Sequence, residues 1–141
     1  MIVDKSKIKK IYTGRIDMEK DLLDAITEFI NINNIQKGYI SIIGALSEVT
    51  IGYYDQTKKV YKKKKLKKIM EIVSATGNIS INEGKNFPHI HIILADKTLN
   101  TFGGHLFTGS KVFAAEFTII ELKGKPLIRK FDPVTRLNLW Q

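Results

Sequence analysis

The sequence predicts an α+β fold: one compact domain spanning residues 1–141, mainly antiparallel sheet with one principal helix packed on it. Two patterns and the chain length predict it. A single segment carries apolar residues at helical spacing, while seven to nine others are short, β-rich and punctuated by glycine-containing turns. A helix with one apolar face must bury that face, and a sheet is its simplest partner. A chain of 141 residues, 43% hydrophobic and 26% charged, suits one core.

Taken in order, residues 1–10 alternate apolar with basic and hold no apolar signal core. The helix is expected from about residue 17 to residue 33, with Leu22, Leu23, Ile26, Phe29 and Ile30 on its apolar face. Asp17 is the expected N-cap. Glu19 and Asp21 suit the positive helix start, and Asn33 with Asn34 suits the end. Strands are expected at 39–43 and 49–54, and the segment 53–58 reads as a hairpin leading into 60–61. Further strands are expected at 69–75, 79–81, 89–95, 112–122 and 127–131. Leu137, Leu139 and Trp140 alternate with polar residues, and the lone tryptophan is expected to pack on the body or on a neighbouring subunit.

The chain has no cysteine, which excludes a disulfide framework, a thiolate zinc site, iron–sulfur ligation and a cysteine nucleophile. That count is consistent with a cytoplasmic location. No apolar run approaches the roughly 18 residues a membrane crossing needs. The expected protein is cytoplasmic and not membrane-spanning.

The net charge of +9 has a local source. Lys58, Lys59, Lys62, Lys63, Lys64, Lys65, Lys67 and Lys68 form an acid-free run, leaving 15 basic and 14 acidic residues elsewhere. One reading makes the run a phosphate-attracting surface that binds DNA without sequence preference and weakens steeply with salt. The other makes it a solvated strand edge, where lysines discourage edge-to-edge pairing. Lysine alone reads no bases, and no arginine lies near.

All three histidines fall within seventeen residues. His89 and His91 stand two apart on an expected strand, so both rings leave one face while Ile90, Ile92 and Leu94 occupy the other. His105 follows Gly103 and Gly104 on a neighbouring turn or strand; the glycines permit positive φ and close backbone approach, more to shape a turn than to bind phosphate, and help aim His105 at the pair. Three neutral imidazoles suit zinc, with iron, nickel or another transition metal as alternatives, and leave one coordination position open. The competing reading gives the histidines ordinary polar contacts.

These segments resemble a known family. His89-Ile90-His91-Ile92-Ile93-Leu94-Ala95-Asp96, Gly103-Gly104-His105-Leu106 and Ala115-Glu116-Phe117-Thr118-Ile119 are similar to motifs of the plants and prokaryotes conserved (PPC) domain. Upstream, the stretch from Met70 to Ser80 and the turn Ile43-Gly44-Ala45-Leu46-Ser47 extend the resemblance over nearly the whole chain. It implies a compact fold of antiparallel sheets, a homotrimer, and in some members a metal at the positions of His89, His91 and His105. In land plants the domain follows an AT-hook, the element that binds AT-rich DNA. Here no Arg-Gly-Arg-Pro core is present; the nearest fragment is Thr13-Gly14-Arg15.

Three functions compete on this sequence. The first is a stand-alone, trimeric metal-binding module with a regulatory or DNA-binding role. The second is DNA binding through the lysine run. The third is a zinc-dependent hydrolase or hydratase at the three-histidine site, with Glu116 or Glu71 as proton carrier. Each glutamate also has a structural reading, as a hydrogen-bonded carboxylate at a subunit contact. An enzyme is the least favoured, because a metal site by itself is not catalysis.

Overall fold

The computed structural model describes residues 1–141. Its strands are β1 (Ile8–Ile16), β2 (Gly38–Leu46), β3 (Val49–Asp55), β4 (Val60–Leu66) and β5 (Met70–Asn82). They continue as β6 (Lys85–Ala95), β7 (Thr101–Phe107), β8 (Val112–Leu122), β9 (Ile128–Asp132) and β10 (Leu137–Trp140). One helix, α1 (Leu22–Ile32), lies between β1 and β2. The sheet runs β1-β8-β2-β5-β6-β7-β3-β4, with β9 parallel to the end of β5 and β10 antiparallel to β9. The α+β expectation holds.

Helix α1 starts later than expected, and Asp21 caps it in place of Asp17. The Oδ1 atom of Asp21 accepts from the Leu23 and Asp24 N–H groups, both at 3.0 Å. Its Oδ2 accepts from the Gly109 and Ser110 N–H groups at 2.7 Å, tying the helix start to the β7–β8 loop. Asp17 pairs instead with Arg15, ahead of a turn in which Glu19 takes φ 67°. The other end is as expected, with Asn33 as C-cap. Leu22, Ile26 and Ile30 are fully buried in one core with Ile40, Ile42, Ile90, Ile92 and Leu94. Each such side chain stabilises the fold by about 1.5–3 kcal/mol.

Three strand expectations need correction. Strand β1 forms where only apolar–basic alternation was visible, because β8 offers it a partner along most of its length. Residues 69–75 and 79–81 belong to one 13-residue strand that continues through Gly77. A Cβ on Gly77 would stand 2.2 Å from the His89 carbonyl oxygen, so glycine there serves close strand approach and no turn. The strand expected at 60–61 runs on to Leu66, so Lys62 to Lys65 lie on a strand edge as one of the two readings has it: β4 pairs with β3 from Val49↔Leu66 to Asp55↔Val60 and forms the sheet edge.

One break in the sheet positions the site. β6 and β7 pair from Ala95↔Thr101 down to His91↔His105, and there the pairing stops. β7 is then held by β3, at Gly52↔His105 through Thr50↔Phe107, while β6 continues back to Lys85. The two strands part beside the histidines. Trp140, at the chain's end, packs over the Arg129 guanidinium at 5.5 Å, on the body as one of its two expected placements has it. No helix is long and apolar enough to cross a membrane.

Candidate metal centre

Strand alternation puts His89 and His91 on the sheet face opposite the buried Ile90, Ile92 and Leu94. Register puts His105 across from His91. The ring centroids lie 5.1 Å apart for His89 and His91, 4.9 Å for His89 and His105, and 5.4 Å for His91 and His105. One nitrogen from each ring lies within 4.8 Å of the others.

Gly103 and Gly104 make this convergence possible, though from within strand β7 and without positive φ. A Cβ on Gly103 would meet the Ile92 carbonyl oxygen at 2.2 Å, and one on Gly104 the Gly52 oxygen at 2.6 Å. Of the turn and the strand that the sequence leaves open, the structure has the strand, in a close three-strand contact. The close approach, not the turn, carries His105 to the pair.

The electrostatics favour neutral imidazoles. Burial, helped by the nearby His105, Arg129 and His91, pushes His89 down to about 3. Burial, with His91, Lys63 and Arg129 adding to it, pushes His105 down to about 4. The Nδ1 atom of His105 is buried without a hydrogen-bond partner, an arrangement that costs free energy unless something completes it. Three nitrogen donors, one of them orphaned, fit a borderline transition-metal ion.

Sequence reasoning missed Arg129. It reaches the histidines from β9, donating from Nε to Ser80 Oγ at 2.8 Å and from Nη1 to the Asn138 carbonyl at 3.1 Å. Its Nη2 donates to Asn78 Oδ1 at 3.0 Å and meets His89 Nδ1 at 3.2 Å. Guanidinium is donor-only, so His89 Nδ1 accepts. No carboxylate pairs with this half-buried charge. The available signal was rarity: Arg129 is one of three arginines beside twenty lysines. The cavity beside the histidines, about 330 Å³, takes its walls from His89, His105, Tyr61, Phe87, Phe107 and Arg129 among others.

The model of the Plants and Prokaryotes Conserved domain (PCC, also written PPC) matches residues 3–123. The chain belongs to this family. A structure described as a metal-containing protein from Archaeoglobus fulgidus is 42% identical and superposes with a TM-score of 0.95, covering 100% of this chain and 99% of that one. A plant- and prokaryote-conserved protein from Pyrococcus horikoshii is 35% identical with a TM-score of 0.94, covering 100% and 97%. A candidate DNA-binding protein from Bacteroides thetaiotaomicron is 27% identical with a TM-score of 0.87, covering 98% of each. Among curated proteins, bifunctional GlmU of a Synechococcus strain is 27% identical over 128 residues, 89% of this chain. The chain spans only 19% of the length of the GlmU relatives it matches.

In this PPC domain the remaining candidate residues stand apart from the histidines. Glu116 is exposed on β8, opposite Arg15 of β1 and Ile43 of β2, and borders a separate depression with Arg15 and Ser41. Glu71 is exposed on β5 beside Ala95 and borders a recess with Lys68 and Asp96. No Asp or Glu lines the histidine cavity.

The lysines divide into two groups. Lys62 pairs with Asp55 and Lys65 with Glu48, both at 2.8 Å, and Lys68 with Asp96 at 3.5 Å. Lys59 donates to the Val134 carbonyl, and Lys63 lies 4.0 Å over the Phe107 ring. Lys58, Lys59, Lys63, Lys64 and Lys67 have no ion pair.

Proposed function

We propose that this PPC protein is a homotrimeric metal-binding module in which His89, His91 and His105 hold one transition-metal ion per chain, zinc foremost. The carrying observation is that every histidine of the chain converges within 4.8 Å. The orphaned His105 nitrogen and the metal-containing relative at 42% identity support the reading. When bound, such an ion supplies Lewis acidity and an open coordination position. The chain's own residues do the rest: β6 and β7 aim the imidazoles, Tyr61 and Phe107 shield His105 at ring distances of 5.2 and 4.7 Å, and Arg129 holds His89 until a metal takes its place. With no carboxylate beside the histidines, the hydrolase reading lacks its proton carrier, and a sensing or regulatory role fits better.

The trimer draws support from an exposed apolar row. Ile43 of β2, Val73 of β5 and Ile93 of β6, at 55%, 52% and 49% exposure, lie on three adjacent strands at one level. Contiguous apolar surface of this kind marks a contact face, and a second and third copy would cover it in closed symmetry. Metal analysis of the wild-type protein and a His89→Ala/His105→Ala variant tests the metal; light scattering tests the trimer.

A second reading, sequence-independent DNA binding, draws on the lysines of the run without ion pairs, which include Lys58, Lys63, Lys64 and Lys67, and on the relative described as a candidate DNA-binding protein. It expects duplex affinity that falls steeply with salt and drops when Lys58, Lys63, Lys64 and Lys67 become alanine. Affinity unchanged in that variant rejects it.

A further inference from the structure

The cavity beside the histidines has a cation and no counter-ion. Arg129 carries five N–H groups, of which four are engaged: one on Nε, one on Nη1 and two on Nη2. One Nη1 N–H is therefore unspent. The engagement with His89 is also conditional. A metal on Nδ1 of His89 takes the lone pair that Arg129 uses, and a metal on Nε2 leaves the proton on Nδ1. In both cases Nδ1 stops accepting and a second N–H, on Nη2, comes free. Metal binding thus leaves the guanidinium with one free donor on each Nη, and charge-assisted donors of this kind are what a carboxylate accepts.

The surroundings specify the rest of the ligand. No Asp or Glu lines the cavity, Lys63 stands close by over Phe107, and the metal adds further positive charge, so the missing partner is an anion. Most of the other walls are apolar, Phe87, Leu106, Phe107, Leu137 and Leu139 among them, with Asn82 and Asn138 as polar neighbours. At about 330 Å³ the space is at the small end of ligand pockets. Its position has a cause in the fold, since β6 and β7 part just beyond His91↔His105 and the β9–β10 hairpin, outside the matched family segment 3–123, closes one side.

We propose that this cavity binds a small monocarboxylate with a compact apolar body, its carboxylate held by Arg129 next to the metal and its body against Phe87, Phe107 and the β10 leucines. The inference rests on the metal-binding reading above. It makes the C-terminal hairpin the specificity element of the site: Arg129 selects charge, and Leu137 and Leu139 select size.

The test is calorimetric titration of benzoate into zinc-loaded protein, with zinc content measured on the same samples. Two variants accompany it. Arg129→Gln removes the cation, and Leu139→Trp fills the cavity from a partly exposed position while leaving Arg129 in place. Saturable binding to the wild-type protein, weakened at least tenfold in both variants, is expected. No saturable binding to zinc-loaded wild-type protein, or variants that bind as tightly as the wild type, overturns the carboxylate site and leaves the metal reading standing. Wild-type protein that takes up no zinc removes the metal reading instead. Benzoate is then titrated into the metal-free protein, where Arg129-dependent binding upholds the anion site and its absence overturns it.

Discussion

His91 of β6 and His105 of β7 are the last registered pair before their two strands part, with rings 5.4 Å apart. The pair does two things at once. Above it, backbone pairing fixes both side chains to one face of a rigid sheet. Below it, the parted strands leave the space that His89, Phe107 and Arg129 line. A site built on strands holds its donors more closely than one built on loops, and β3 supplies the third strand of that support.

The close packing at Gly103 is the weak point of the arrangement. Gly103→Ala places a Cβ against the Ile92 carbonyl oxygen and should destabilise the protein by roughly 1–3 kcal/mol through overpacking. Because His105 lies two residues on, metal stoichiometry should fall with it. Urea denaturation and metal analysis of the variant check both effects.

Asp21 joins the helix start to the β7–β8 loop through four accepted N–H bonds. Asp21→Ala should cost about 2 kcal/mol, at the upper end for a lost N-cap because the loop contact goes too. Asp17→Ala, at the position the sequence favoured, should change stability by less than about 0.5 kcal/mol as an exposed site. Paired denaturation curves distinguish the two.

Protonation of the histidines opposes folding of the metal-free protein. His89 and His105 titrate near 3 and 4 when folded, against 6.5 as the ordinary value. Between about 6.5 and 4 the unfolded chain binds protons that the folded chain does not, so stability rises with pH across that window and falls as pH is lowered through it. Metal-stripped protein should therefore have a lower urea midpoint at pH 5.5 than at pH 7, above the range where carboxylates titrate. His89→Leu/His105→Leu should flatten the difference.

The apolar row on β2, β5 and β6 should carry the subunit contact. Ile43→Asp/Ile93→Asp is expected to convert the proposed trimer to monomer without unfolding the chain, since both side chains are half exposed. Light scattering reads the mass, and circular dichroism confirms the strand content. A trimer that persists in this variant rejects that face as the interface.

Much of this fold was legible because alternation and helical spacing survive in a single sequence. Ile90, Ile92 and Leu94 are buried as their spacing requires, and the three histidines form one cluster as the His-x-His pair and the Gly-Gly-His segment led us to expect. What escaped depended on partners distant in sequence. Strand β1 needs β8, more than a hundred residues away, to turn its apolar–basic pattern into a strand. Gly77 and Gly103 read as turn residues because a glycine required by a neighbouring backbone has the same local signature as one required by φ. Asp17 and Asp21 are equivalent caps until the loop at Gly109 and Ser110 selects Asp21. Arg129 reaches the histidines through the pairing of β9 with β5, which no local pattern announces.

The most direct test of the metal centre is elemental analysis of untagged protein beside His89→Ala/His105→Ala, each prepared without chelator and after zinc addition. The account predicts about one ion per chain in the wild type and its loss in the variant. Equal metal in both, or none in the wild type even after zinc is supplied, would contradict it.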